Sequence, residues 1–122
     1  MVEWPGGREE LLRYVRLMAD PEEAHTVWVE GKLPEGYHFD SFTDCITFFF
    51  DDNDLQSKEA AIGNTLKNEQ EWKMMLELRS KMELVFDTVG SYAPDEEYLS
   101  HKKWSDVIAA AGNVLAVWDF DQ

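Results

Sequence analysis

The sequence contains a single cysteine, Cys45, among 122 residues. One thiol cannot form a disulfide within the chain, and it cannot supply the several thiolates of a cysteine-rich zinc site. No nucleophile signature such as Gly-x-Ser-x-Gly surrounds it, and its neighbour is Ile46. Cys45 is therefore predicted to be a small buried apolar side chain and not a catalytic nucleophile.

Long apolar runs are also missing. Runs of large apolar residues reach only three, as in FFF at residues 48–50, far fewer than the roughly 20 residues that a membrane-spanning helix needs. The first residues, MVEWPGGREELL, have neither the basic start nor the apolar core of a secretory signal peptide. These absences predict a cytoplasmic protein that does not associate with membranes.

Basic residues are scarce. Eleven Lys and Arg stand against 25 Asp and Glu, so the formal net charge is −14. A chain this acidic repels nucleic acid and anionic membranes, because affinity for both depends on attracting their negative charge. It is compatible with a basic protein partner or a divalent cation, and equally with acidity that only maintains solubility.

The sequence does contain a series of helix start and stop signals. Residues 8–19 carry their apolar side chains at helical spacing, and Asp20 is placed to cap a second helix that Pro21 begins. Asn68 opens the longest candidate helix, which runs to Gly90. With a last helix near the C-terminus, these signals predict one all-α domain over residues 1–122, built from about five helices.

The segment DSFTDCITFFFDDNDL, residues 40–55, allows two structures. Phe42, Ile46, Phe49 and Phe50 fall on one face of a helix that Ser41 is placed to cap. Residues 45–50 also alternate as a strand would, which leaves an α+β fold with a small sheet as the alternative. We predict the helix, because the candidate partner strands are poor and an isolated strand pair is marginally stable.

Signals for catalysis and for cofactors are weak. No glycine-rich phosphate loop is present, and the three histidines are too scattered to form a zinc-binding pair. Asp51, Asp52 and Asp54 offer oxygen donors of the kind that calcium and magnesium prefer, but their spacing is not that of an EF-hand loop. We therefore predict no catalytic residue and no cofactor, with a divalent-cation-binding protein or enzyme at these three aspartates as the alternative.

An acidic segment with interleaved aromatic residues is the best candidate for function. From Leu33 through Ser57 the chain has no Lys or Arg. Acidic residues around aromatic side chains suit a basic protein partner, because charge steers the encounter and the rings provide buried area. Phe48 falls off the predicted apolar face, so it is the aromatic residue most available for this role. The candidate partner-binding residues are Glu35, Tyr37, Asp40, Asp44, Phe48, Asp51, Asp52 and Asp54.

Several short motifs resemble an uncharacterised family of small acidic bacterial proteins. They are the DD-x-DL sequence at residues 51–55 and the IG-x-x-L-x-N-E-x-E sequence at residues 62–71. The resemblance implies a standalone bacterial protein and brings no established activity. In style, though not in motif, the chain is also similar to immunity proteins, which mask the active sites of basic toxin nucleases. The resulting hypothesis is a non-enzymatic module that binds a basic protein.

Overall fold

The computed structural model describes residues 2–33, 41–52, 55, 57–91 and 93–120, and for Asp51 and Asp52 it describes the backbone. The described chain forms seven α-helices and no strand, which confirms the all-α prediction. The count exceeds five because α4 and α6 are single turns, too short to show an apolar period. The helices are α1 (Pro5–Ala19), α2 (Pro21–Ala24), α3 (Phe42–Thr47), α4 (Lys58–Ala61), α5 (Glu69–Val89), α6 (Asp95–Leu99) and α7 (Trp104–Val117).

Two of the helices widen into π-helices at their C-terminal ends. α2 continues as a π-helix over His25–Val29, and α3 continues as one over Phe48–Asp52. A π-helical turn inserts an extra residue and often lies at a functional site. The second of these segments contains three of the candidate partner-binding residues.

The helix termini follow the capping signals. The Asp20 carboxylate accepts hydrogen bonds from the backbone N–H of Glu22 and Glu23, at 3.2 and 3.3 Å. The Asn68 side chain accepts from the N–H of Glu71 at 2.9 Å and starts α5. Gly90 ends that helix with a φ of 104°, a conformation that side chains other than glycine rarely adopt.

The strand alternative for residues 45–50 is wrong, since these residues are helical throughout. Ser41 Oγ accepts a hydrogen bond from the N–H of Asp44 at 3.0 Å and so caps α3, as predicted. Phe42, Ile46 and Phe49 are buried on one side of the segment, whereas a strand would bury alternate residues. Burial of one helical face against α5, α6 and α7 therefore decides the structure.

The core lies where α7 packs against both α1 and α5. At one end it is filled by an aromatic cluster in which Phe42 contacts the rings of Trp28, Trp104 and Tyr98, with centroid distances of 5.0 to 5.9 Å. This cluster fixes the position of α3 on the rest of the molecule. Among the described helices, none has the length and apolar character to cross a membrane.

Candidate functional site

Two side chains hold the first turn of α3 in place by accepting hydrogen bonds from its backbone N–H groups. In addition to the Ser41 cap, the carboxylate of Asp95 in α6 accepts a hydrogen bond from the N–H of Phe42 at 3.0 Å. This bond ties the start of α3 to the start of α6. The orientation of α3 is therefore fixed relative to α6, which lies beside it.

Two of the candidate residues follow one another along the outer side of α3. Asp44 and Phe48 are four residues apart, so helical geometry places them away from the buried Phe42, Cys45 and Phe49. Both are half-buried. The backbone of Asp51 and Asp52 continues the segment through the π-helical turn. We call these four residues, together with Trp4, the acidic–aromatic strip: Trp4, Asp44, Phe48, Asp51 and Asp52.

The remaining four candidates, Glu35, Tyr37, Asp40 and Asp54, lie outside the described residues. Their part in the site stays a prediction. The same holds for the divalent-cation alternative, because it depends on Asp54 and on the carboxylates of Asp51 and Asp52. Within the described part of the chain, no group of three His, Cys, Asp or Glu side chains is arranged to hold a metal ion.

Trp4 joins the strip through Phe48. The ring centroids of these two residues are 5.8 Å apart, and Phe48 also contacts Tyr14 of α1 at 5.7 Å. Phe48 is thus partly used in packing α3 against α1. Trp4 remains 38% exposed and extends the aromatic surface outward.

The backbone holds Trp4 firmly. The N–H of Glu3 donates to the carbonyl of Gly63 at 2.7 Å, and the N–H of Trp4 donates to that of Asn64 at 2.8 Å. The indole lies against the backbone of Gly7, where an added Cβ would come within 2.3 Å of the ring. Sequence reasoning did not include Trp4 in the site. The signal for it was the glycine pair two and three residues further on, which leaves room for a large ring at the start of α1.

Arg79 of α5 lies over Phe50, with its guanidinium carbon 3.9 Å from the ring centroid. Its Nε is buried and has no hydrogen-bond partner within the described part of the chain. Carboxylates at a helix C-terminus are unfavourable, because the helix dipole is negative there. Arg79 thus places a positive charge against Phe50, the residue before Asp51 in the chain.

Further acidic residues border the N-terminal end of the strip. Asp95, Glu96 and Glu97 form the first turn of α6, and the last two are exposed. α6 contacts both α3 and the π-helical part of α2. The acidic surface is therefore wider than the segment found in the sequence, and it includes residues from a second helix.

A buried ion pair links α1, α5 and the C-terminal segment. It was not predicted from the sequence. Arg8 of α1 donates to both carboxylate oxygens of Glu71 at 2.8 Å, and Glu71 is fully buried. Glu71 also accepts from the backbone N–H of Lys67 and of Asp119, both at 2.8 Å. Burial by itself raises the pKa of Glu71, but the hydrogen bonds from Arg8 and from the two backbone groups outweigh it, so the pKa is lowered.

The sequence carried a signal for this pair. Arg8 continues the buried series Leu11, Val15 and Met18 of α1 toward the N-terminus, and Glu71 does the same for the series that begins at Met75 in α5. Each of the two apolar stripes ends in one charged residue. Because burying an unpaired charge is costly, this pattern predicts an ion pair between the two residues. Arg8 also lies 4.1 Å from the ring centroid of Trp118, which packs the C-terminal segment over the pair.

A groove of about 470 Å³ lies between α1 and the second helix. Leu12, Leu17 and Val27 contribute its apolar part. Its rim is of mixed charge and is formed by Glu9, Arg13, Arg16, Asp20 and Glu23. None of the candidate partner-binding residues that the structure describes lines it, so the groove and the strip are separate features.

Together these features define an acidic all-α protein with an acidic–aromatic outer helix face. The model of the family described as a domain of unknown function, DUF7945, matches residues 2–119, and the chain belongs to this family. The resemblance to an uncharacterised family with no established activity is thereby confirmed. No curated protein and no solved structure matches the chain.

Proposed function

We propose that this protein is a non-enzymatic, cytoplasmic binding module of bacterial origin that docks a basic protein through the acidic–aromatic strip. Its sharpest form is an immunity-like protein, which neutralises a basic partner by covering its functional surface. The observation that carries the proposal is the placement of Asp44 and Phe48 on the outer side of α3, with the exposed ring of Trp4 against Phe48.

The strip combines the two properties that protein docking needs. Fixed aromatic rings give buried area at a low cost in conformational entropy, and they are enriched among the residues that dominate binding energy. Carboxylates at the edge of such a patch accelerate association with a basic partner and discriminate against acidic ones. The exposed Glu96 and Glu97 of α6 extend this charge beside α3.

The overall charge supports a basic partner over a second copy of the chain. At −14, two copies repel each other at low ionic strength, whereas a basic surface is attracted. The attraction is long-ranged and is reduced by salt, since the Debye length falls from about 10 Å at 0.1 M to about 3 Å at 1 M ionic strength.

The test is affinity capture with tagged protein from a lysate of the source organism, washed at low and then at high salt. The strip variant is Asp51→Lys plus Asp52→Lys. Its matched control is Glu22→Lys plus Glu77→Lys, which changes the net charge equally at exposed acids of α2 and α5. We expect a stoichiometric basic protein that is retained by the wild type and the control, is lost from the strip variant, and dissociates as salt rises.

Circular dichroism and thermal unfolding establish that each variant is folded before capture. Equal retention by a folded strip variant would remove the strip from the interface. Equal loss from both charge variants would mean that net charge alone attracts the partner. Absence of a partner from the wild type at both salt concentrations would leave the acidity as a solubility property and would overturn the proposal.

A further inference from the structure

Trp4 differs from the other four tryptophans in its surroundings. Trp28, Trp104 and Trp118 are buried in the core. Trp72 is half-buried, and its indole N–H donates to the carbonyl of Leu55 at 2.8 Å. Trp4 is the most exposed of the five and lies at the edge of an acidic surface. Its ring nevertheless packs against Gly7 and Phe48, and the backbone N–H groups of Glu3 and Trp4 are both hydrogen-bonded.

Cations of this chain lie over many of its aromatic rings. Trp118 and Phe50 each have an arginine within about 4 Å of the ring centroid, and three further rings have a Lys or Arg within 6 Å. Within the described part of the chain, no Lys or Arg lies over Trp4. The indole ring is the aromatic surface that attracts a cation most strongly. Trp4 is therefore an exposed indole ring over which the described part of the chain places no Lys or Arg.

We infer that Trp4 receives an arginine side chain of the partner protein. The inference rests on the proposed function and specifies the chemistry that the strip recognises. The exposed Glu3 precedes Trp4 in the chain, and the formal net charge of the protein is −14. A cationic side chain at the indole is therefore favoured by the charge of the protein around it.

Arginine fits this position better than lysine. Its guanidinium is planar, stacks on an aromatic face and is more weakly hydrated than an ammonium group, so less hydration is lost on contact. An apolar side chain of the partner is the competing occupant, since it would use the ring and ignore the carboxylates. The two occupants differ in charge, and a neutral side chain of the same shape as arginine separates them.

The test uses isotope-labelled whole protein and follows the five indole N–H signals by NMR. The Trp4 signal is assigned with Trp4→Phe. Three acetylated and amidated tripeptides, Gly-X-Gly with X as arginine, citrulline or norleucine, are titrated to millimolar concentrations at matched, low ionic strength. Citrulline keeps the shape of arginine without its charge, and norleucine tests the apolar occupant.

We expect the arginine peptide to shift the Trp4 signal along a binding isotherm, and the other two peptides to bind at least about fivefold more weakly. The remaining four indole signals should stay in place, and Gly7→Ala should weaken the response by displacing the ring. Equal responses to arginine and citrulline, or to arginine and norleucine, would overturn the inference. So would an arginine response confined to other parts of the protein.

The two proposals fail separately, because this titration needs no natural partner. If the strip variant loses its partner in the capture experiment but the Trp4 signal does not respond to arginine, the binding module stands and its arginine contact is wrong. If Trp4 binds arginine but capture yields no partner, the proposed function is wrong. The NMR response then shows only that Trp4 can bind an arginine peptide.

Discussion

Arg8 and Glu71, 63 residues apart in the chain, meet through two parallel N–H···O hydrogen bonds of 2.8 Å in the interior of the fold. Two further arginine hydrogen bonds reach the carbonyls of Thr65 and Asp119. This one guanidinium therefore connects α1 to the turn before α5 and to the C-terminal segment. Glu3 and Trp4, which precede α1, donate backbone hydrogen bonds to Gly63 and Asn64 of the same turn, so the pair also fixes the backbone that carries Trp4.

Removal of the charge on Glu71 should destabilise the protein strongly. In Glu71→Gln, Arg8 keeps its charge in the interior without a carboxylate, and the loss for such a broken buried pair is about 3–5 kcal/mol. Urea unfolding measures it. The control is Glu69→Gln, two residues away, whose exposed carboxylate pairs with Lys58 and Lys73. We expect the control to leave the unfolding midpoint unchanged within error, and equal effects of the two substitutions would contradict the role of the pair.

The same pair predicts a pH dependence. The pKa of Glu71 in the folded protein is below its ordinary value of 4.5, so ionised Glu71 stabilises the fold above that pH, and the contribution is lost as the pH falls through the folded-state pKa. We expect the difference in unfolding free energy between the wild type and Glu71→Gln to be constant near neutral pH and to narrow below about pH 4.5. Using the difference cancels the titration of the many other carboxylates. A difference that stays constant down to pH 2 would contradict the prediction.

The parts of the fold that could be predicted from sequence are those set by neighbouring residues. Asp20, Ser41 and Asn68 cap helices because a short polar side chain can accept hydrogen bonds from N–H groups two or three residues further on. Gly90 ends α5 because its backbone adopts a left-handed conformation. Each of these choices depends on a few consecutive residues, so the pattern in the chain was sufficient.

The site was only partly predictable, because it depends on residues that are distant in the chain. Phe48 was predicted to lie off the apolar face of α3, and it is half-buried against Trp4 and Tyr14. Its contact with Trp4, 44 positions earlier, follows from how α1 packs on α3, which no local pattern specifies. Likewise, no local pattern indicates that α3 continues as a π-helix. The position of Glu71 after the capping residue Asn68 gave no sign of its second role as the partner of Arg8.

The position of Trp4 should depend on Gly7. In Gly7→Ala the new Cβ would lie 2.3 Å from Trp4 Cδ2, so the ring or α1 must move, at a cost of about 1–3 kcal/mol. At Gly6 the corresponding Cβ would lie 3.8 Å from Trp4 Nε1, an ordinary contact. Gly6→Ala should therefore be neutral or stabilising by up to about 1 kcal/mol, through its higher helix propensity. Urea unfolding and the Trp4 indole NMR signal check both variants, and a Gly7→Ala protein with native values of both would contradict the placement of the ring.

A divalent cation should not stabilise the protein through the aspartates at residues 51–54. We expect magnesium, calcium and manganese to change the melting temperature of the wild type and of Asp51→Asn plus Asp52→Asn alike, because screening of the net negative charge acts on both. Thermal unfolding across a concentration series measures this. A saturable rise in the wild type that the variant lacks would instead favour the divalent-cation alternative, since a specifically bound ligand stabilises in proportion to its affinity.

Phe48 and Phe49 are neighbours with opposite roles, and alanine substitution should separate stability from binding. Phe49 is fully buried, so Phe49→Ala should lose about 3–5 kcal/mol of unfolding free energy. Phe48 is half-buried against Trp4 and Tyr14, so Phe48→Ala should lose only about 1–2 kcal/mol. It should nevertheless weaken capture of the basic partner by removing the ring that supports Trp4. Urea unfolding gives the first comparison, and capture at low salt gives the second. A folded Phe48→Ala protein that retains its partner fully would show that the aromatic part of the strip lies outside the interface.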